Sequence, residues 1–214
     1  MIVSPSILAA DFNALDQEMK KVNDSSCEWV HLDVMDGKFV PNTTFDEKLV
    51  KELRPISNKV FDVHLMIEKP VEHVMKYYEA GADYVTFHFE ACENIKEVLE
   101  TLKKQNLKVG LSIKPATSVT VLDEFLPYLD LILVMSVEPG KGGQKFMDSC
   151  LDKIDYLVKK RRENNYSYLV EVDGGINLDT AKLVKQVGGD VVVAGTYLFK
   201  NENFIKATKE LGEI

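Results

Sequence analysis

EWVHLDVMDGKFVPNTTFDEKLVKELRPISNKVFDVHL, residues 28–65, opens and closes on short runs rich in Val that are apolar at almost every position, with a helix-length connection between them. Near-continuous apolarity over so few residues marks strands buried on both faces, and a long crossover between two such strands is the βαβ arrangement of a parallel sheet. The same alternation recurs along the chain. Strand-like runs fall at 2–8, 28–34, 59–65, 84–88, 108–113, 131–136, 168–173 and 190–195. Between them, Phe12, Leu15, Met19 and Val22 share one helical face, as do Ile95, Val98, Leu99 and Leu102. Pro70 stands where a first helical turn tolerates proline, and Asn94 and Asn177 are placed to cap the helices that follow them. Eight strand–helix units in one chain are best closed as a (β/α)8 TIM barrel, with an open doubly wound sheet as the alternative. Pro5 removes a ladder donor and predicts that the first strand is irregular near its end.

The bulk composition limits the function classes. The chain has 214 residues, 45% of them hydrophobic, and a formal net charge of −8. That length suits one domain, residues 1–214, burying roughly 70% of its unfolded surface. The negative charge argues against nucleic acid or an anionic membrane as a partner, since both need clustered Lys and Arg. Apolar runs stop well short of the ~20 residues that span a bilayer. The N-terminus has no basic start, and Pro5 and Asp11 interrupt its apolar stretch, so a cytoplasmic protein is expected. Cys27, Cys92 and Cys150 are odd in number and far apart, which predicts reduced thiols used for packing.

In a barrel of this kind chemistry sits at the C-terminal mouth, so polar residues that end strands carry functional information. The second strand ends His31-Leu32-Asp33-Val34-Met35, and a period of two sends His31, Asp33 and Met35 to the side shared with Trp29, read as the barrel interior. The third ends His64-Leu65-Met66, the seventh at Asp173. Any one of these histidines is more often a hydrogen-bonded structural residue, and Asp173 before two glycines could anchor a turn. Four converging on one mouth instead suit a divalent ion that accepts mixed nitrogen and oxygen ligands, with Zn²⁺ favoured and Fe²⁺, Mn²⁺ or Co²⁺ as options. Met35, Met66 and Met135, near strand ends, are core filler or a water-poor lining around it. His88, ending the fourth strand, is a candidate pocket residue without a role, and His73 is a weaker one. Gly140-Lys141-Gly142-Gly143-Gln144, Gly174-Gly175 and Gly195-Thr196 follow strands six, seven and eight. Barrels commonly seat phosphate there on backbone N–H groups, and no nucleotide-binding glycine motif is present.

The segments SPSILAADF (4–12), HLDVMDGKFVPN (31–42), DVHLMIEKP (62–70), Pro115-Ala116-Thr117, MSVEPGKGGQKF (135–146) and VEVDGGIN (170–177) resemble the ribulose-phosphate 3-epimerase family over essentially the whole chain. The resemblance implies interconversion of D-ribulose 5-phosphate and D-xylulose 5-phosphate in the pentose phosphate pathway, with one divalent metal per subunit and a homo-oligomeric assembly. It makes His31, Asp33, His64 and Asp173 the metal ligands and Asp33 and Asp173 the acid/base pair. It puts Ser6 and His64 beside the substrate, the three methionines around the metal, and Gly142, Gly143, Gln144, Gly174, Gly175, Gly195 and Thr196 at the sugar phosphate. Lys141 replaces the family's usual aromatic in the loop over the substrate. Thr196 replaces a common Ser, and Tyr197 is bulkier than usual. An epimerase of another phosphorylated ketose such as D-allulose 6-phosphate is the nearest alternative. A metal-dependent hydrolase and a non-catalytic phosphate binder are more distant ones.

Overall fold

The structure is a computed structural model that describes residues 1–214. Eight parallel strands run β1 (Ile2–Pro5), β2 (Trp29–Met35), β3 (Val60–Met66), β4 (Tyr84–His88), β5 (Lys108–Ile113), β6 (Leu131–Met135), β7 (Leu169–Asp173) and β8 (Val191–Ala194). Their order is β1-β8-β7-β6-β5-β4-β3-β2, and a single bridge between Ser6 and His31 brings β1 to β2. A doubly wound sheet would hold β1 in its middle; here first and last strands pair and the sheet curls into a nearly closed (β/α)8 barrel. β1 stops at Pro5 and a 3-10 turn, Ile7–Ala9, follows, because proline has no N–H to continue the ladder.

The helices are α1 (Leu15–Asp24), α2 (Glu47–Leu53), α3 (Val74–Ala80), α4 (Ile95–Lys104), α5 (Cys150–Asn164), α6 (Leu178–Gln186), α7 (Thr196–Phe199) and α8 (Phe204–Gly212). They do not follow the strands one for one. Two 3-10 turns, Val119–Leu122 and Leu126–Tyr128, fill the crossover from β5 to β6, where Pro127 interrupts helix formation, and two helices follow β8. Asn177 caps α6, accepting from the N–H groups of Asp179 and Thr180. Asn94 stands at the start of α4, but its side chain makes no capping bond. Met19 and Val22 bury the inner face of α1, whereas Phe12 lies before the helix in a separate turn and is exposed. Ile95, Leu99 and Leu102 of α4 are buried, with Val98 half-buried beside them.

Two layers form the core because successive strand residues face opposite ways. Outward-facing Val30, Leu32, Phe61, Val63, Leu65, Val85 and Phe87 pack under the helices in one large apolar cluster. That cluster includes Cys27 and Cys150, and all three cysteines are free. Inward-facing residues stack in levels. Trp29, Tyr84, Leu131 and Val191 seal the bottom, with the Trp29 and Tyr84 rings stacked at 4.8 Å. The register Trp29–Val60, His31–Asp62, Asp33–His64, Met35–Met66 then lifts polar side chains in pairs toward the mouth. An apolar floor and an apolar sleeve therefore surround a polar shaft. No helix is long and apolar enough to cross a membrane.

Candidate active site

The parity that places Trp29 inside the barrel also places His31 and Asp33, and ladder pairing brings His64 opposite Asp33. Asp173 arrives from β7, in register with Met135 and Val193. One ligand-capable atom from each of His31, Asp33, His64 and Asp173 lies within 4.8 Å of the others. Both histidines are fully buried and Asp33 nearly so.

Asp33 is the hub. Its Oδ2 accepts a 2.6 Å hydrogen bond from the Ser6 hydroxyl. Its Oδ1 faces His31 Nε2 at 3.2 Å and His64 Nδ1 at 3.3 Å. Its backbone carbonyl accepts from the Thr44 hydroxyl at 2.6 Å, and the same Thr44 oxygen accepts from Met35 N–H, clamping the end of β2. Behind the site, His31 Nδ1 stands 2.6 Å from Asp62 Oδ2, so its N–H donates to that carboxylate. His31 Nε2 has no hydrogen-bond partner although it is completely buried. A buried nitrogen without a partner is costly, and here it points at a carboxylate oxygen with other oxygen and nitrogen donors around it. Two nitrogens and two carboxylates converging in this way fit a divalent ion of the zinc, iron or manganese type.

The electrostatics agree. Burial alone would lower the His31 imidazole, but the charges of Asp33 and Asp62 outweigh it and hold its pKa well above the usual range. A proton there does part of a cation's work. Burial would raise Asp33, yet His31 and His64 hold its carboxyl well below the carboxylate range. Asp173 goes the other way: burial, then the charge of Asp33, push it up to about 7. Burial lowers His64.

Above these groups opens a cavity of about 750 Å³. Ser6, Asp33, Asp173 and the methionines Met35, Met66 and Met135 line its floor. Gly142, Gly143, Gln144, Gly174, Gly175, Gly195 and Thr196 line its wall, with Lys141, Tyr197 and Lys200. His31 and His64 lie beneath the floor rather than in it. The glycine segments meet: a Cβ on Gly143 would stand 3.7 Å from Thr196 Oγ1, and one on Gly175 would stand 2.3 Å from the Phe146 nitrogen. The N–H groups of Gly143 and Gly195 donate to no other group of the chain. Gln144 spends its amide nitrogen on the carbonyls of Glu138 and Lys141, folding the loop on itself. Asn42 reaches across from the β2 loop to Gly140 O at 2.7 Å, and Asp36 accepts from the N–H groups of Lys38, Phe39 and Glu68. These ties hold the rim.

His73 lies at the start of α3, away from the cluster. His88 is fully buried and does not line the cavity; its Nε2 stands 2.9 Å from His64 Nε2. Sequence reasoning passes over Thr44, Asn42, Asp62 and Glu171. A signal for Asp62 and Glu171 exists, since each lies two residues before a candidate ligand and so faces the same interior. The loop residues have no such signal.

The fold and the site together define a (β/α)8-barrel enzyme whose mouth joins a His/Asp cluster compatible with a divalent metal to a glycine-lined wall. The chain belongs to the ribulose-phosphate 3-epimerase family, whose model matches residues 2–199. It is an isomerase of the epimerase class acting on sugar phosphates. Among its relatives are ribulose-phosphate 3-epimerases of Treponema pallidum (43% identical, covering 92% of this chain and 90% of that protein) and Bacillus subtilis (41%, 98% and 97%). That of Schizosaccharomyces pombe is 42% identical, covering 92% and 86%. The barrel alone is shared with KGPDC from Streptococcus mutans in complex with D-R5P (TM-score 0.71, 15% identity, 99% and 95% coverage). It is shared equally with tryptophan synthase from Pyrococcus furiosus (0.70, 16%, 100% and 98%).

Proposed function

We propose that this enzyme interconverts D-ribulose 5-phosphate and D-xylulose 5-phosphate by inverting C3 through an enediolate. The observation that carries this reading is geometric: Asp33 from β2 and Asp173 from β7 both line the cavity floor, and their carboxylates belong to one cluster with His31 and His64. Inversion takes a proton from one face of C3 and returns one to the other, which needs one ionised and one protonated group on opposite sides. β2 and β7 lie three strands apart around the barrel, so a ketose across the mouth has one aspartate on each face. In one direction the first takes the C3 proton while the second delivers; in the reverse direction they exchange roles.

Ser6 holds Asp33 Oδ2, which leaves Oδ1 directed toward His31 and His64. His31, Asp33, His64 and Asp173 would hold the divalent ion, zinc in the first instance, and when bound it supplies positive charge against the developing enediolate oxygens. Met35, Met66 and Met135 keep the floor poor in water. Gly143, Gly175, Gly195 and Thr196, with the charge of Lys141 and Lys200 on the same wall, receive the phosphate on unengaged N–H donors.

Asp173→Asn tests the acid/base role. It should suppress both epimerisation and deuterium exchange at C3 while circular dichroism shows an intact barrel; near-normal turnover defeats the assignment. Chelator-treated protein that is fully active and free of metal by elemental analysis defeats the metal centre. Turnover on D-allulose 6-phosphate exceeding that on the pentose phosphate would change the substrate.

A further inference from the structure

A buried chain of polar contacts runs away from the cavity floor. His64 Nε2 lies 2.9 Å from His88 Nε2, and His88 Nδ1 lies 3.2 Å from Glu90 Oε2. Glu90 Oε1 in turn accepts from Lys114 N–H at 2.8 Å and from the Thr117 hydroxyl. Lys153 Nζ steadies that turn through the carbonyls of Lys114, Pro115 and Thr117, at 3.1, 2.7 and 2.7 Å.

With a cation held at Asp33, hydrogen-bond logic assigns every proton along this chain. An ionised carboxylate only accepts, so His88 Nδ1 carries the hydrogen it gives to Glu90. A neutral imidazole with a protonated Nδ1 has a bare Nε2, so His88 Nε2 accepts from His64. His64 therefore carries its hydrogen on Nε2 and leaves Nδ1 bare, 3.3 Å from Asp33 Oδ1. In the same way Asp62 takes the hydrogen of His31 Nδ1 and leaves Nε2 facing the same Oδ1 at 3.2 Å. Without an ion, His64 Nδ1–H can donate to Asp33 Oδ1 and the charges of Asp33 and Asp62 hold His31 protonated; with one bound, two nitrogen lone pairs and an oxygen lone pair converge on a single point.

We propose that His88 and Glu90 are positioning residues of the metal centre. They set the tautomer and the ring angle of His64 so that Nδ1 is its ligand atom. The inference rests on the metal reading above. A buried histidine with two satisfied nitrogens is usually structural; this one differs because its partner is a candidate ligand and the far end of the chain is a carboxylate. Water cannot substitute for it. The His88 ring is completely buried, 5.0 Å from the His64 ring and 4.8 Å from the Phe39 ring. Lys114 Nζ sits 4.1 Å from the centre of the same Phe39 ring. The path crosses from β3 to β4 to the turn after β5, so the rigidity of three strands bears on one imidazole.

The experiment compares the intact protein with His88→Leu and His88→Gln. Zn²⁺ and Co²⁺ affinities are measured by chelator competition, with the visible spectrum of the Co²⁺ form and urea unfolding of each metal-free protein. Leu offers no acceptor to His64 Nε2–H, whereas the Gln side-chain oxygen does. The Leu variant is expected to lose about 10- to 100-fold in metal affinity, the usual cost of removing a partner behind a ligand. Its Co²⁺ spectrum should change, while the Gln variant recovers most of the affinity and the parent spectrum. A Leu variant with parent affinity and spectrum overturns the proposal, as does a Gln variant no better than Leu. Nitrogen-detected NMR on the unaltered metal-loaded protein, which has only 4 histidines to assign, gives a check independent of folding. It should find the hydrogen of His64 on Nε2 and that of His88 on Nδ1; the opposite tautomers overturn the proposal. Parent protein that binds neither ion removes the metal reading itself, an outcome distinct from a parent that binds and variants that bind equally.

Discussion

Three glycines on the cavity wall carry different loads, and replacing each by alanine separates backbone strain, steric conflict and open space. At Gly175, φ is +61°. An alanine there adopts the left-handed region at a cost of about 1–2 kcal/mol. Its Cβ would also stand 2.3 Å from Phe146 N, 2.8 Å from Phe146 Cα and 3.0 Å from Gln144 O. These are backbone atoms and cannot swing aside, so overpacking adds about 1–3 kcal/mol. The Gly175→Ala cost is therefore about 2–5 kcal/mol. At Gly143, φ is +74° but the nearest atom to a new Cβ is Thr196 Oγ1 at 3.7 Å, an ordinary contact. Strain alone applies, about 1–2 kcal/mol. At Gly142 nothing lies closer than Leu8 Cδ2 at 4.0 Å, and stability should stay within about 0.5 kcal/mol of the parent. Urea unfolding of the three variants in one metal state, with unchanged slope, measures the series. Only Gly175→Ala also forces the 144–146 backbone outward, so it alone should raise KM through a displaced wall. A Gly175→Ala protein within ~1 kcal/mol of the parent, or an order in which Gly142→Ala is the worst, would falsify this account of the wall.

Ser6→Ala removes the 2.6 Å hydrogen bond to Asp33 Oδ2. A hydrogen bond to a charged group is worth about 1.5–3 kcal/mol, so kcat/KM should fall roughly 10- to 100-fold; unchanged kinetics would count against the orientation of Asp33. The Tyr168 hydroxyl, fully buried, donates to Leu157 O at 2.8 Å. Tyr168→Phe should cost about 1–2 kcal/mol in urea unfolding and leave turnover alone, and a loss of turnover at constant stability would contradict its purely structural place. Metal-free protein should have an unusual pH profile. Asp173 is raised from 3.8 to about 7, so between those values the folded state keeps a proton that the unfolded chain has lost, and stability falls as pH rises through that window. His31 is raised above 6.5, so its contribution is full below that pH and is lost as pH climbs through its folded value. Asp33, lowered from 3.8, contributes above that value and loses its contribution as pH falls below it. His64 and His88, lowered from 6.5 by burial, His88 to about 4, act the other way below neutral pH and drop out above it. Chelator-treated protein should therefore melt higher at about pH 7 than at about pH 8.5, and added Zn²⁺ should narrow or reverse the difference because binding expels the His31 proton. A melting temperature that rises between those two pH values in the metal-free protein would show that these shifts have the wrong sign.

Much of the fold and of the candidate site is legible in the amino-acid order alone. Short, twice-buried strands announce themselves because nearly every residue is apolar, and eight of them at a βαβ spacing leave few ways to close. Parity does the rest for β2 and β3, since Trp29 identifies the interior face and His31 and Asp33 must share it. Where local signals are weak, periodicity misleads. Phe12 fits the helical face of Leu15, Met19 and Val22 but belongs to the turn before α1, because Asp11 caps that turn through Asn13 N–H. The crossover after β5 is another such place, with 3-10 turns around Pro127 where strand–helix alternation predicts a helix.

The sequence by itself determined the barrel, the inward face of β2 and the four residues that could meet an ion, because those follow from a periodicity of two and from short motifs at strand ends. Only the tertiary structure decided which atoms meet. His88 joins His64, Asp62 accepts a hydrogen bond from His31, and Gly175 leaves room for the backbone of Phe146. Those relations depend on ladder register and loop closure between residues 24 to 31 positions apart, where local spacing carries no information. The opposed proton affinities of Asp33 and Asp173 arise the same way, from burial and from charges that only the closed barrel brings together.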